Sequence, residues 1–252
     1  MRRSAKRRPT AVSAIRVVSS GAGTRARDSE RSAAVRASLA VGLAVSAYGL
    51  SFGALATTSG LDIWQTCVLS LFMFSGGSQF AVIGVLATGG VAAGPSAIAG
   101  AALLGVRNGL YAMRLGPIVG GPWWRKALAA QWTIDESTAV STGQPTLRGQ
   151  RIGFWVTGGM IFLGWNLMTL LGALLGNLIG DVRMFGLDAA AAAAFLGLLW
   201  PRLTSRQPLA VAAGAAVVAA VLIPWLPAGL PVLIAAGVAV LVGVTNWWGR
   251  RP

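Results

Sequence analysis

A short polar stretch, Phe74-Ser75-Gly76-Gly77-Ser78-Gln79-Phe80, interrupts an apolar run from Ile63 to Leu86. The run is long enough to cross a bilayer, which takes about 20 residues. Backbone that is freed from helical hydrogen bonds is tolerated at membrane depth only where it is buried in protein or lines a watery cavity. Broken helices hold polar substrates in many transporters, whereas paired glycines also let helices pack closely. The stretch therefore predicts either a helix break at a substrate site or a packing contact, and its candidate residues are Ser75, Gly76, Gly77, Ser78 and Gln79.

An arginine lies inside the third apolar stretch of the chain, where a charge is expensive and marks function by default. Arg107 is followed by Asn108, and it shares one helical face with Tyr111 through i, i+4 spacing. A guanidinium can clamp a carboxylate with two parallel hydrogen bonds. These three residues are candidates for substrate binding, and the alternative for Arg107 is a structural ion pair with Asp135 or Glu136.

Two of the seven acidic residues, Asp135 and Glu136, are adjacent. They fit a solvated loop, an ion pair with Arg107, or an ion-coupling role in which a carboxylate carries a proton. Asp62 and Asp188 lie at the starts of apolar stretches, where an acid caps a helix favourably. Asn166 lies within the fourth apolar stretch and can hydrogen-bond to another helix or line a substrate path.

The composition identifies an integral membrane protein of the all-α class. Of the 252 residues, 55% are hydrophobic and only 11% are charged, whereas soluble domains carry about 25% charged residues. The chain has no histidine, which excludes a His-based zinc site and a Ser–His catalytic pair. We expect no metal, no cofactor and no enzymatic activity.

Seven apolar stretches predict a polytopic helical transport domain over residues 35–252, with about six to seven membrane stretches. The second stretch is the one expected to be broken or re-entrant. The fifth and sixth are short for a span. The seven stretches are Val35–Ala56, Ile63–Leu86, Pro95–Leu115, Phe154–Leu178, Leu187–Trp200, Pro208–Ile223 and Gly229–Trp248.

The first 34 residues are predicted to form a disordered basic tail. Ten of the 21 Lys and Arg residues fall between Arg2 and Arg36. A basic tail before a first span is typical of an orientation signal, and it also contacts anionic lipid heads. We expect membrane lipid and not nucleic acid as its partner.

The basic loops give conflicting orientations. Arg125, Lys126, Arg148 and Arg151 favour a cytoplasmic loop after the third stretch, yet three full crossings from a cytoplasmic tail would end outside. Three alternatives remove the conflict. One early stretch is re-entrant at Ser75–Gln79, or the tail does not orient the protein, or residues 127–141 dip into the membrane.

A faint internal repeat is also present. Phe52-Gly53-Ala54-Leu55 precedes Gly60-Leu61-Asp62, and Leu171-Gly172-Ala173-Leu174 precedes Gly186-Leu187-Asp188. Copies that start three spans apart favour inverted repeats, a common transporter plan. Chance matching of common apolar residues is the alternative.

Taken together, these segments resemble the AzlC family of branched-chain amino acid permeases. The resemblance covers roughly residues 35–245. The pieces that carry it are Ser51–Leu55, Phe74–Phe80, Gly105–Tyr111, Gln131–Ser137, Trp165–Thr169 and Gly186–Asp188.

The resemblance implies a secondary transporter that exports valine, leucine and isoleucine across the bacterial inner membrane, with a small AzlD-type membrane subunit as partner. Coupling to an ion gradient is expected. The alternatives from the residues alone are a channel or a structural membrane subunit. An intramembrane protease is the least favoured class, because it would need two facing carboxylates and both Asp62 and Asp188 fall at stretch ends.

Overall fold

The structure is a computed structural model that describes residues 11–179, 196–197, 199–200 and 203–245, with side chains from residue 27 onward. These residues form helices and no strands, which confirms the predicted helical membrane fold. Two helices are long and apolar enough to cross a membrane, over Arg27–Thr58 and Leu147–Leu178. Most of the fifth apolar stretch, with Asp188, lies outside the described residues.

The helices are named here in chain order. A single 3-10 turn, Val91–Ala93, joins the third to the fourth. Their bounds are α1 Ala11–Thr58, α2 Ile63–Phe72, α3 Gly76–Gly89, α4 Gly94–Val119, α5 Trp123–Gln131, α6 Asp135–Thr142, α7 Leu147–Ile179, α8 Arg206–Leu222 and α9 Leu230–Thr245.

Helices α1 and α7 pack side by side and run in the same direction. The Thr157 hydroxyl donates to the Ser38 hydroxyl over 2.9 Å, and further along both helices Gly53 lies against the carbonyl of Thr169. Small residues let two helices approach closely in a membrane. The end of the bundle where α7 begins, with Arg148 in its first turn, is named the basic end. The opposite end, where α1 and α7 finish, is named the distal end.

Helices α2 and α3 form a re-entrant hairpin that starts at the distal end. Asp62 caps α2 through a capping box, which confirms its predicted role. The chain leaves helical geometry at residues 73–75, where Phe74 packs against Phe162 of α7 with ring centroids 5.1 Å apart. The predicted break is therefore present, but Gly76–Gln79 belong to the first turn of α3 and not to the break itself.

Helix α3 returns to the distal end alongside α4, and the two are antiparallel. Gly77 lies against Arg107, and the Ser78 hydroxyl donates to the carbonyl of Ala101 over 3.0 Å. Helix α4 then crosses to the basic end, because its 26 residues extend about 39 Å at 1.5 Å per residue. Its last turn lies beside the start of α7, where Nε of Arg151 donates to the carbonyl of Ile118 over 2.7 Å.

Helices α5 and α6 form a second re-entrant hairpin, which starts at the basic end. The chain leaves helical geometry at residues 132–134. There Trp132 packs on Phe162 with ring centroids 6.0 Å apart, so both hairpin apices meet the same residue of α7. Helix α6 returns to the basic end, where the Ser141 hydroxyl donates to the carbonyl of Gln150 over 2.9 Å.

Helices α8 and α9 are joined at the distal end. The Ser96 hydroxyl at the start of α4 donates to the carbonyl of Ala228 over 2.7 Å. Helix α9 runs alongside α4, with Leu233 next to Gly100. Arg206, the first residue of α8, therefore lies at the end of that helix that is nearer the basic end.

The two hairpins remove the orientation conflict. Only α1 and α4 cross the bundle before Arg125, so the basic residues near the starts of α5 and α7 share one end with the start of α1. Two of the three alternatives offered for this conflict apply at the same time. The Ser75–Gln79 stretch belongs to a re-entrant hairpin, and residues 127–141 enter the bundle. This distribution agrees with the positive-inside rule.

The inverted topology expected from the faint repeat is wrong for α1 and α7, because these helices run in the same direction. Residues 180–188 of the second copy lie outside the described residues. An inverted arrangement exists elsewhere. Helix α1 with its hairpin α2–α3 and helix α4 with its hairpin α5–α6 cross in opposite directions, and each hairpin enters from the end where its crossing helix finishes.

The tail differs from the predicted disorder over residues 11–34, which are helical in α1. Residues 1–10 lie outside the described residues. Ala34 is fully buried, and Oε1 of Glu30 accepts a hydrogen bond from the Gly149 N–H over 2.9 Å. Glu30 therefore ties the last part of this segment to the N-terminus of α7. Its carboxylate shares the Gly149 N–H with the Thr146 hydroxyl, which accepts from it over 3.1 Å, and it meets the positive end of the helix dipole.

Glu30→Ala should therefore lower the stability of the protein by up to about 1 kcal/mol, the size of a charge interaction with a helix N-terminus, because the Thr146 hydroxyl remains as an acceptor for the Gly149 N–H. The thermal unfolding midpoint of detergent-purified protein measures this. Asp28→Ala, at an exposed position of the same helix, is the matched control. Equal midpoints for the two variants would contradict the capping role.

Single cysteines in a Cys67→Ala background test the two hairpins. We expect Thr58→Cys and Thr88→Cys to react with a membrane-impermeant thiol reagent from one side of the membrane, because both lie at the distal end. Lys126→Cys and Thr146→Cys should react only from the other side. Labelling of Thr58→Cys and Thr88→Cys from opposite sides would show that α2 and α3 together cross the membrane, and it would contradict a re-entrant hairpin.

Candidate functional site

The apices of the two hairpins enclose a cavity of about 90 Å³ beside the middle of α1 and α7. One water molecule needs about 10–15 Å³ of such space, so the cavity holds several. Both breaks in the helices open onto it. The lining residues are Val45, Tyr48, Phe74, Ser75, Gly76, Gly77, Phe80, Arg107, Asn108, Ile134, Asp135, Glu136, Ile161 and Trp165.

Helix α3 points its N-terminus at the cavity. Ser75 precedes the helix in extended conformation and makes no capping hydrogen bond. The N–H groups of the first turn have no acceptor within the helix, and the dipole adds positive potential there. Gly76 and Gly77 thus present bare backbone donors to the cavity, as helix N-termini do in anion sites.

Arg107 and Asp135 form an ion pair across the cavity. Nη1 of Arg107 lies 2.8 Å from Oδ2 of Asp135, and the side chains are 29% and 22% exposed. The ion pair that the sequence offered as one alternative for Arg107 is therefore present, with Asp135 as the acid. Nε of Arg107 is buried without a hydrogen-bond partner, so the guanidinium keeps donor capacity beyond the pair.

The acidic side of the cavity is built by the second hairpin. Asp135 and Glu136 occupy the first turn of α6, where the helix dipole favours negative charge. The arginine and the dipole together make a carboxylate acceptable at this depth. The cavity therefore presents groups for an anion on α3 and α4, and groups for a cation on α6.

Most of the remaining wall is apolar. Phe80, Ile134, Ile161 and Trp165 are each at least 94% buried and belong to one core cluster. A small cavity with opposite charges at one end and an apolar wall fits a zwitterion that carries an apolar side chain.

A sequence model of the AzlC family, described as AzlC protein, matches residues 40–179, which is more than half of the 252 residues. The chain belongs to the AzlC family. This family is related to branched-chain amino acid transport and is not known to be enzymatic. No curated protein and no solved structure matches the chain.

The AzlC match includes every residue that lines the cavity, from Val45 to Trp165. Both re-entrant hairpins lie inside it, as do the helices α4 and α7 that support them. Helices α8 and α9 lie beyond its end. The family and the apolar helices together identify a membrane protein of a transporter-type family.

Gln79 was predicted to bind substrate, but it does not line the cavity of this AzlC chain. It is fully buried, its Nε2 donates to the Met73 carbonyl over 2.7 Å, and its Oε1 accepts from the Trp165 indole N–H over 2.8 Å. Carbonyls freed by a helix break must find donors inside a membrane. Gln79 supplies one, and Gln131 supplies another to the carbonyl of Leu71 over 2.7 Å.

Three other candidate residues do not line the cavity. The Ser78 hydroxyl bonds to the carbonyl of Ala101, which ties α3 to α4. Nδ2 of Asn166 donates to the Phe162 carbonyl one turn earlier in its own helix, over 2.7 Å. Tyr111 lies one turn beyond Arg107 on α4. Tyr111 does follow Arg107 at i, i+4 spacing in a helix, as predicted, but the cavity ends before the turn of α4 that carries Tyr111.

Sequence reasoning missed the apolar lining residues. Phe80 and Trp165 fall inside motifs that the sequence analysis singled out, whereas Val45, Tyr48 and Ile161 carry no local signal. An apolar side chain that lines a cavity has the same sequence pattern as one that faces another helix. Trp165 offered one clue, because a buried indole N–H needs a hydrogen-bond partner.

Proposed function

We propose that this AzlC protein is a secondary transporter that exports valine, leucine and isoleucine across the bacterial inner membrane, together with a small AzlD-type subunit and coupled to an ion gradient. The observation that carries the proposal is the cavity between the two apices. It combines an α3 N-terminus, the Arg107–Asp135 pair and an apolar wall within about 90 Å³.

The substrate carboxylate binds the N–H groups of Gly76 and Gly77 and the guanidinium of Arg107. A Cβ built on Gly77 would lie 2.8 Å from Nη2 of Arg107, so the guanidinium lies beside the first turn of α3, and we infer that both groups hold the same carboxylate. Charge-assisted hydrogen bonds of this kind are about twice as strong as neutral ones. Half-helix N-termini hold substrate carboxylates in other transporters.

The substrate ammonium binds Asp135 or Glu136, and the apolar side chain lies against Phe80, Ile161 and Trp165. A zwitterion can replace the contacts of the Arg107–Asp135 pair with its own two charges, so the desolvated charges remain compensated. The acid that does not hold the ammonium is a candidate to carry the coupling proton.

The positions of the basic residues support an orientation in which the basic end faces the cytoplasm. Arg125, Lys126 and Arg148 lie there with the start of α1, and short basic loops are retained in the cytoplasm. Two hairpins that enter from opposite ends and meet at the cavity support alternating access, since inverted elements can open one side or the other.

Leucine counterflow tests the proposal. Membrane vesicles that contain the full chain, with and without the co-expressed small subunit, are loaded with unlabelled leucine and given labelled leucine outside. We expect internal leucine to accelerate uptake several-fold over empty vesicles, which a channel cannot do. The absence of this acceleration in both preparations, with correctly inserted protein, would contradict the proposal.

A further inference from the structure

The indole of Trp165 is immobilised in the cavity wall. Its Nε1 donates to Oε1 of Gln79 over 2.8 Å. Its ring stacks on Phe52 with centroids 6.2 Å apart and meets the edge of Phe80 at 6.3 Å. Only 5% of Trp165 is exposed. A ring that is held by a hydrogen bond and two aromatic contacts cannot move aside for a larger ligand without losing them.

The first residue of α3 lies directly against this ring. A Cβ built on Gly76 would be 3.2 Å from Cη2 of Trp165, closer than ordinary van der Waals contact. Gly76 does not have a positive φ, so it is the space, and not the backbone conformation, that calls for glycine. The position and the ring together fix how near α3 approaches α7 at the cavity.

We propose that the contact between Gly76 and Trp165 sets the largest side chain that the cavity accepts. This inference rests on the proposed function. In an α-amino acid the side chain starts two bonds from the carboxylate carbon. A carboxylate on the N–H groups of Gly76 and Gly77 therefore brings the first carbons of the side chain next to the neighbouring wall. Trp165 is the part of that wall in contact with Gly76.

Two substitutions on opposite sides of the contact should act in opposite directions. Trp165→Leu enlarges the space and should admit phenylalanine. Gly76→Ala adds a methyl group that the immobilised ring cannot avoid, and it should favour valine over leucine. One methylene in an apolar pocket changes the discrimination between two substrates by about tenfold or more. We therefore expect a shift of about tenfold in the affinity for phenylalanine relative to leucine in Trp165→Leu, and in the affinity for valine relative to leucine in Gly76→Ala.

Competition against labelled leucine counterflow measures this in vesicles that contain the full chain. Unlabelled valine, leucine and phenylalanine compete, and each variant gives ratios of apparent affinity. Trp155→Leu is the matched control, because Trp155 lies on the same helix but does not line the cavity. It should keep the parent ratios. Trp165→Phe, a smaller change, should shift the phenylalanine ratio in the same direction as Trp165→Leu.

The inference would be overturned if Gly76→Ala and both Trp165 variants kept leucine exchange and kept the parent's ratios of apparent affinity among valine, leucine and phenylalanine. The proposed function would then remain intact. Loss of all exchange in folded Gly76→Ala and Trp165→Phe would also overturn the inference, because a size limit changes which substrate is used and not whether one is used. A parent protein that exchanges none of these amino acids contradicts the proposed function, and this inference with it.

Discussion

Arg107→Ala should abolish leucine exchange and also lower the yield of folded protein. The variant removes the guanidinium from the cavity and leaves Asp135 without its partner at 2.8 Å. Breaking a fully buried ion pair costs about 3–5 kcal/mol, and the cost is smaller here because 22% of the Asp135 side chain remains exposed. Size-exclusion profiles measure the yield, and counterflow measures the exchange.

A double variant separates the two roles of Arg107. Arg107→Ala with Asp135→Ala removes both charges of this pair, so the yield should recover toward that of the parent while exchange stays absent. Arg114→Ala is the control, since it removes an exposed arginine from the same helix, and it should change neither quantity. Normal exchange in the double variant would show that the pair is structural only.

Gly53→Ala should strongly impair folding, although it adds only one methyl group to the protein. The added Cβ would overlap the carbonyl oxygen of Thr169, which is backbone of α7 and cannot rotate away. Overpacking a well-packed interface costs about 1–3 kcal/mol. We expect a loss of folded yield and a clearly lower unfolding midpoint.

The matched control for this substitution is Gly109→Ala. Gly109 is also helical, and nothing lies within 4 Å of a Cβ built there. Alanine in a helix interior stabilises by about 0.5–1 kcal/mol relative to glycine, so the control should be neutral or slightly more stable. Equal loss in both variants would contradict the close packing of α1 on α7.

The sequence predicted the long apolar helices well, because their signal is local. The described helices α1, α4, α7, α8 and α9 each overlap a predicted apolar stretch. The break near Ser75 was also predicted, since adjacent glycines between serines do not suit a helix in lipid. The observed break covers residues 73–75 and not Ser75–Gln79, because Gly76 and Gly77 are well suited to a first helical turn against crowded neighbours.

The sequence predicted the second hairpin only as the third alternative for the conflicting orientations, in which residues 127–141 dip into the membrane. Helices α5 and α6 are short and polar, and their burial depends on local hydrogen bonds. The hydroxyls of Thr133, Ser137 and Thr138 each donate to a nearby backbone carbonyl over 2.7 Å. Such bonds let a polar segment enter a membrane protein, but hydropathy does not register them.

The candidate site was predicted in part. Arg107, Asp135 and the glycines stand out because charges and helix breaks are costly in a membrane. Gln79 stands out for the same reason, yet the structure assigns its amide to backbone carbonyls and to Trp165. A buried polar residue is a signal that some partner exists. Whether that partner is the protein or a ligand depends on distances that only the fold supplies.

The most direct test of a substrate site between the two apices uses Ser75→Cys in a Cys67→Ala background. Ser75 lines the cavity, and Thr88→Cys at the far end of α3 is the control. We predict that a water-soluble thiol reagent modifies Ser75→Cys, and that saturating leucine slows this reaction several-fold without slowing the control. A thiol at position 75 that reacts equally fast with and without leucine, in protein that still exchanges leucine, would contradict the account.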